Sequence, residues 1–271
     1  MTRMGFSSKG LGFTGNELVA TGGLSYSPGD GYAGVYFTSN GTFTILNGIR
    51  DIEVLVISGG SGGGDGANFG TYAQCGGGGG AGANYTSTTI NNAPLGAYTI
   101  TVGAGGAGGT RMNAPSTYAH GGGQGGTGGT SSIVKSGITT ISNAGPVGGT
   151  GGFVFYDIQY FVGGNGASNA LYSGASGYAN RYGGGGGGAG AGSFGVSPDP
   201  YYEGGVPGTF ASVAGMNTQF GYGGYGGAYY ARYGSYTGLG SGGAGGGGTS
   251  DATYQPGYTG YFGGVYLRWR A

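Results

Sequence analysis

Apolar and polar residues alternate along only a few short stretches of this chain, and those stretches carry the two-residue period of β-strands. Residues 36–45 (Tyr-Phe-Thr-Ser-Asn-Gly-Thr-Phe-Thr-Ile) set β-branched and aromatic residues around Asn40-Gly41, a pair that favours a hairpin turn. Residues 52–57 (Ile-Glu-Val-Leu-Val-Ile) predict a buried strand, and residues 98–102 (Tyr-Thr-Ile-Thr-Val) an alternating one. A second hairpin is predicted over 131–142, and a final strand over 264–270. No segment shows the 3.6-residue apolar period of a helix.

Between these stretches stand blocks of glycine, at 59–64, 76–82, 103–109, 121–129, 148–152, 163–166, 183–192, 221–227 and 238–248, with a last pair at 263–264. They hold 79 glycines together with the rest of the 271-residue chain, almost no other residues than Ala and Ser interrupt them, and none carries a charge. The blocks are too long for turns, and glycine is a poor former of helix or strand because it loses so much backbone entropy. Polyproline II geometry remains, with about 3 residues per turn, about 3.1 Å rise and no internal hydrogen bonds. Its outward-pointing N–H and C=O groups can be satisfied by neighbouring glycine helices, which approach closely for want of Cβ atoms. Blocks of about five to eleven residues would make rods of roughly 15–35 Å. The expected class is all-β with packed polyglycine-II helices and no α-helix: short strands at one end of a glycine-helix bundle, variable aromatic loops at the other.

Composition narrows the reading. Apolar residues are 37%, aromatics 14% and charged residues 7%, with zero net charge, unlike the charged, aromatic-poor composition of disordered chains. Collagen is excluded by the lack of a Gly-X-Y period. Nine basic and nine acidic residues are scattered singly, so nucleic-acid binding is not expected. No apolar run reaches membrane-spanning length, so no membrane insertion is expected, and residues 1–10 lack the apolar segment of a signal peptide. Residues 1–31 are read as an N-terminal extension or attachment segment, and 32–271 as one glycine-rich body.

Candidate chemistry is sparse. The single cysteine, Cys75, allows no intrachain disulfide and no cysteine-rich metal site, and is expected to be a small, partly buried side chain. His120 is the one histidine, so no histidine-based metal cluster can form, and a solvated or capping role is expected of it. Asp65, Asp157, Asp199, Glu203 and Asp251 are isolated, whereas a glycosidase pair would need two carboxylates within about 5–10 Å. No catalytic residue, metal or cofactor is expected, and the protein is read as a non-enzyme.

The succession Phe37-Thr38-Ser39-Asn40-Gly41-Thr42-Phe43-Thr44, then Glu53-Val54-Leu55-Val56-Ile57-Ser58-Gly59-Gly60, then the block at 76–82 and Tyr98-Thr99-Ile100-Thr101-Val102-Gly103-Ala104-Gly105-Gly106 resembles a glycine-rich domain of bacteriophage tail-fibre and related virion proteins. The match covers about residues 32–145; beyond it only the alternation of block and loop is similar. The glycine bundle resembles the polyglycine-II sandwich of adhesins that cap the long tail fibres of T-even-type phages. The resemblance implies a virion-surface protein, made in the host cytoplasm, whose variable loops touch a bacterial surface protein or polysaccharide. It departs from the fibre-tip adhesins in its strand-rich opening over 32–58 and in lacking a long N-terminal attachment domain.

If each block crosses the bundle once, rising first from strand 52–57, parity places 65–75, 110–120, 153–162, 193–220 and 249–262 at the far end and all predicted strands after it at the near end. The far-end loops supply the receptor-binding candidates Phe69, Tyr72, Tyr118, Tyr156, Tyr160, Tyr201, Tyr202, Tyr254 and Tyr258, with Phe153, Phe155, Phe161 and Tyr261 beside them. Tyrosine among Ser, Gly and Asn is the composition of adaptable binding surfaces, and aromatic rings also stack on sugars. The same rings could instead cap the bundle. The leading expectation is a tail-fibre or tail-tip adhesin, with other virion proteins held through the N-terminal segment and near-end strands; a homotrimer would suit a fibre. The alternatives are a structural virion component (capsid decoration protein, head fibre or tail-fibre segment) and an ice-binding or matrix protein, which the tyrosine-studded loops and the missing signal peptide disfavour.

Overall fold

The computed structural model describes residues 18–21, 23–29, 31–46, 50–69, 73–110, 119–155, 160–178, 185–186, 188–191, 194, 219–227, 238–243, 245–246 and 256–270. Among them the strands are β1 (Leu18–Thr21), β2 (Leu24–Gly29), β3 (Tyr32–Phe37), β4 (Gly41–Ile45), β5 (Arg50–Ile57), β6 (Ala67–Phe69), β7 (Ala73–Cys75) and β8 (Tyr85–Ala93). They continue with β9 (Gly96–Thr101), β10 (Ala119–Gly121), β11 (Ser131–Lys135), β12 (Thr139–Asn143), β13 (Phe153–Phe155), β14 (Tyr160–Val162) and β15 (Gly264–Arg270). The described residues include no helix.

Two open antiparallel sheets, ordered β1-β4-β9-β11-β12 and β2-β3-β15-β5-β8, face each other across one apolar core. The first sheet contributes Phe43, Ile45, Tyr98, Ile100 and Ile133; the second contributes Val35, Phe37, Ile52, Val54, Val56, Ile90, Val265 and Leu267. In β5 the remaining apolar residues, Leu55 and Ile57, point away from that core into a second cluster with Ala83, Ala191, Phe220 and Tyr266. Burial on both faces is why residues 52–57 are nearly continuously apolar. β15 is a central strand between β3 and β5. Residues 18–21 and 24–29 of the N-terminal segment are built into the sheets as β1 and β2.

The predicted strands over 98–102 and 264–270 and the hairpin over 131–142 are present as β9, β15 and β11–β12, the hairpin turning through Gly137 at φ 74°. The hairpin expected over 36–45 is not formed. β3 pairs with β2 and β15, β4 with β1 and β9, so the Asn40-Gly41 corner carries the chain from one sheet to the other. The alternation fits both arrangements, and here Phe37 and Phe43 enter the same core from opposite sides. Short strands also occur at the end where only loops were expected: β6–β7, and a three-stranded sheet β10-β13-β14.

The described glycine segments join a stack of extended segments with a three-residue hydrogen-bonding period. In segment 58–65, Gly59, Gly62 and Asp65 donate to Gly129, Gly126 and Gly123; Gly60 and Gly63 donate to Tyr261 and Tyr258; Ser58, Ser61 and Gly64 donate to Asn84, Ala81 and Gly78, all at 2.8–3.0 Å. Its carbonyls follow the same period, accepting from Gly106 and Gly109, from Gly149 and Gly152, and from Gly243 and Gly246. Segment 58–65 thus has six neighbours, three antiparallel and three parallel. Segment 76–83 also has six: 58–65, 148–150, 164–167, 186–189, 224–227 and 240–246.

These lateral bonds order the stack in three rows. One outer row is 121–129, 145–152, 163–167 and 174–178; the middle row is 103–109, 58–65, 76–83 and 185–191; the other outer row is 256–263, 240–246 and 221–227. Segments 58–65 and 76–83, ringed on every side, are buried along almost their whole length. A Cβ built at Gly59, Gly62, Gly78 or Gly80 would meet a neighbour's carbonyl at less than any real Cβ contact distance, so the backbones pack too closely for a side chain. In the outer segments every third residue faces solvent, as at Ala104 and Ala107, Gln124 and Thr127, Val147 and Thr150, and Asn165 and Ser168.

Candidate functional site

The stack has two unlike ends. At one, the two sheets close over it. At the other, segment 58–65 runs into β6, and β6–β7 packs against β10, β13 and β14. Ala67, Cys75 and Val154 are buried between these short strands, and the Cys75 thiol donates to the Phe153 carbonyl at 3.4 Å. Cys75 is fully buried, further than the partial burial expected of it. Asp65 is buried just before β6, its main-chain N–H donating to Gly123 and its carbonyl accepting from Gly152.

Connections at this end join Phe69 to Ala73, Thr110 to Ala119, Phe155 to Tyr160, Tyr178 to Gly185 and Gly246 to Pro256. Phe69 lies in β6 opposite Ala73, and Tyr160 in β14 opposite Phe155. Tyr258 is half-buried on segment 256–263, with its carbonyl accepting from Gly63. Tyr72, Tyr118, Tyr156 and Tyr254 lie outside the described residues, within connections whose flanks stand at this end. His120 pairs through its backbone with Val154 in β10–β13.

Tyr201 and Tyr202 also lie outside the described residues, but the flanks of their connection stand at the opposite end. Ala191 and Phe220 pack on Leu55 and Ile57, and Phe194 meets Tyr172 edge-on at 5.1 Å. The parity count put these flanks at the other end because it passed over a crossing. Segment 174–178 bonds antiparallel to 163–166, with Gly163 donating to Tyr178 and Gly166 to Ala175. It holds only Gly174 and Gly177, three apart, and at the edge of the stack that spacing suffices, since Ser176 faces solvent and the buried Ala175 is small.

Two aromatic groupings reach beyond the sequence candidates, of which Tyr258, with Tyr261 beside it, belongs to the second. On the outer face of the second sheet, Tyr36 and Tyr266 stack at 5.2 Å and Tyr26 meets both edge-on while crossing Gly34. Burial pushes the Tyr266 hydroxyl up to about 12, with the Tyr36 and Tyr26 hydroxyls adding to the effect. Burial also raises the Tyr26 hydroxyl; Arg268 opposes this and Glu53 adds to it. Next to them Arg268 donates twice to Glu53 Oε2, at 2.8 and 2.6 Å, and lies 4.6 Å over the Tyr32 ring. The second grouping is on the flank of the stack, where Tyr222 and Tyr225 stand on one outer segment and Tyr258 and Tyr261 on another, each pair three residues apart. Their sequence signal was the Tyr-x-x-Tyr spacing.

The match to known families follows this architecture. A family model described as a glycine-rich domain matches residues 37–270, from the end of β3 through β15. The chain belongs to that family. The glycine-rich domain thus takes in the glycine stack and most of both sheets, with only β1, β2 and nearly all of β3 lying before the matched region. No curated protein matches the chain.

Proposed function

We propose that this glycine-rich domain protein is a phage virion surface protein, a tail-fibre or tail-tip adhesin that binds a bacterial receptor through aromatic loops and catalyses no reaction. The observation that carries the reading is the polarity of the molecule. Chain connections bearing Tyr72, Tyr118, Tyr156 and Tyr254 leave the stack at one end, while two sheets close the other. A rigid scaffold that gathers variable loops at one end is how binding surfaces are commonly built. In this reading the glycine segments are polyglycine-II helices, supported by their three-residue bonding period and six-neighbour packing. Other virion proteins attach at the sandwich end, leaving the loop end free.

The test is adsorption. Labelled protein, or virions carrying it, is mixed with host cells, and a variant with Tyr72, Tyr118, Tyr156 and Tyr254 all changed to Ala is compared with the parent. The adhesin reading requires adsorption to fall at least tenfold with melting unchanged, since a ring at the centre of a contact is worth about 2 kcal/mol or more. Unaltered adsorption refutes it and turns the assignment toward a structural virion component.

A further inference from the structure

The second sheet ends in two unlike edges. At one stands β2, where Pro28 has no N–H to offer, the register with β3 shifts between Tyr26 and Gly29, and Gly29 and Gly31 take φ of 82° and 76°. Proline and bulges are common means of keeping an edge strand from pairing with another chain. At the other edge stands β8, nine residues long and the longest of the described strands. It holds no charged residue and no proline. Its register shift comes after Ile90, so the run from Tyr85 opposite Ile57 to Ile90 opposite Ile52 is unbroken. Ser87, Thr88 and Thr89, in the middle of that run, are exposed. The sheet order ends at β8, which among the described residues pairs on one side only. The described edges of the first sheet differ from it. β1 is four residues long, and β12 is turned onto the second sheet, where Asn143 donates to the Val56 carbonyl and accepts from the Thr86 hydroxyl.

We propose that β8 is a docking edge for a second copy of this chain, the two β8 strands pairing antiparallel about a two-fold axis at Thr88. An axis perpendicular to the sheet keeps like faces together only when it passes through a residue. Thr88 as centre sets Thr88 against its own image, Ser87 against Thr89 and Thr86 against Ile90. Thr86, Thr88 and Ile90 lie opposite Val56, Val54 and Ile52, which enter the core, whereas Ser87 lies opposite Leu55, which points the other way. Cross-strand pairs of hydroxyl-bearing and β-branched residues stabilise a ladder, and like charges set opposite destabilise it. β8 brings no charge to meet its image. The guard on β2 then limits the pairing. With one open edge on this sheet, the contact is self-complementary and closes at two chains instead of running on as a filament. The unbroken run is about 20 Å long at about 3.4 Å per residue, a contact at the small end of specific interfaces, so the dimer is reversible and concentration-dependent. Because the paired strands are antiparallel, the two glycine stacks leave in opposite directions, with a loop end at each pole.

This inference goes beyond the adhesin reading and stands whatever the loops bind. The test is the mass of the full chain in solution, followed by sedimentation velocity and light scattering from nanomolar to high micromolar concentration. The parent is expected to pass from one chain to two as concentration rises. Thr88→Lys sets like charges together at the axis and should weaken association at least about tenfold with melting unchanged, as should Thr88→Glu. Mixing those two variants should restore a dimer holding one of each, because the charges at the axis are then opposite. Leu24→Lys, on the exposed part of β2, should leave association as it is. Should a Thr88 variant fail to fold, the double variant Ser87→Lys, Thr89→Lys takes its place on the other face of the strand. A single-chain mass at every concentration, an assembly of three chains, a dimer not weakened by these charges, or a mixture that restores nothing would each overturn the proposal. Host adsorption is scored separately, so either idea can fail alone.

Discussion

Gly79 lies in the middle of a segment with six neighbours, and replacing it measures how tightly the stack is built. A Cβ there would sit 2.6 Å from both the Gly224 carbonyl carbon and the Tyr225 carbonyl oxygen, and closer still to the Gly224 oxygen. Relief requires segment 221–227 to back away. That segment is held by bonds from Gly224 to Gly80 and from Gly227 to Gly77, both 2.7 Å, and from Gly188 to Gly224, 2.9 Å. Overpacking alone costs about 1–3 kcal/mol, and each buried main-chain group that loses its partner adds about 1–3 kcal/mol. Gly79→Ala should therefore cost about 3 kcal/mol or more, and Gly79→Val more again. At roughly 2–4 °C per kcal/mol for a domain of this size, Tm should fall by roughly 10 °C. Ala107→Val, which adds a larger branched side chain at an exposed third position, should move Tm by less than about 2 °C. Melting followed by circular dichroism or calorimetry decides it. If Gly79→Ala and Gly79→Val melted with the parent, the close approach of backbones would not be what holds the stack.

Ser61→Ala removes the hydroxyl that accepts the Ala81 N–H at 2.8 Å in the buried centre of the stack, and should lower stability by about 1–3 kcal/mol in urea unfolding; an unshifted midpoint would show that N–H to be satisfied otherwise. Because the Tyr266 and Tyr26 hydroxyls are raised in the folded protein, the folded state holds their protons longer than the unfolded state does, so stability should decline as pH rises from about 10 toward about 12. The double variant Tyr26→Phe, Tyr266→Phe should flatten that decline, and an unchanged slope would count against the burial of these hydroxyls. Glu53→Gln should weaken the partly buried pair with Arg268 by about 1 kcal/mol, an effect that 1 M salt should reduce; a loss undiminished by salt would point to packing against Tyr32.

The local strand signals were readable because each buried face is written in its own residues: 98–102 and 264–270 alternate, and 52–57 is apolar but for Glu53 since both its faces are covered. Partner choice was not readable. Residues 36–45 satisfy the pattern of a hairpin and equally that of two strands in opposed sheets, and only the shared core of Phe37 and Phe43 separates the two. β8 was missed because Tyr85–Ala93 is polar on its open face and buries only Ile90 and Ala93. The glycine blocks announced close backbone packing, yet the crossing at 174–178 shows that a segment at the edge needs glycine only at every third position. That omission changed the end to which the count assigned the flanks of 193–220, at Ala191 and Phe220.

The segment at the centre of the stack is one of the earliest parts of the body to be synthesised. Segment 58–65 leaves the ribosome long before 240–246 and 256–263 exist to complete its ring, and β3 and β5 wait equally long for β15 to come between them. At about 5–20 residues per second, the roughly 200 intervening residues take about 10–40 s. Through that interval the nascent chain can pair some strands locally but cannot close either its second sheet or its glycine core. Folding is then tied to synthesis through β15, and pairings so distant in sequence make it intrinsically slow. A messenger broken anywhere before the codons for 264–270 would yield a chain unable to assemble its centre, so that only copies extending through β15 mature.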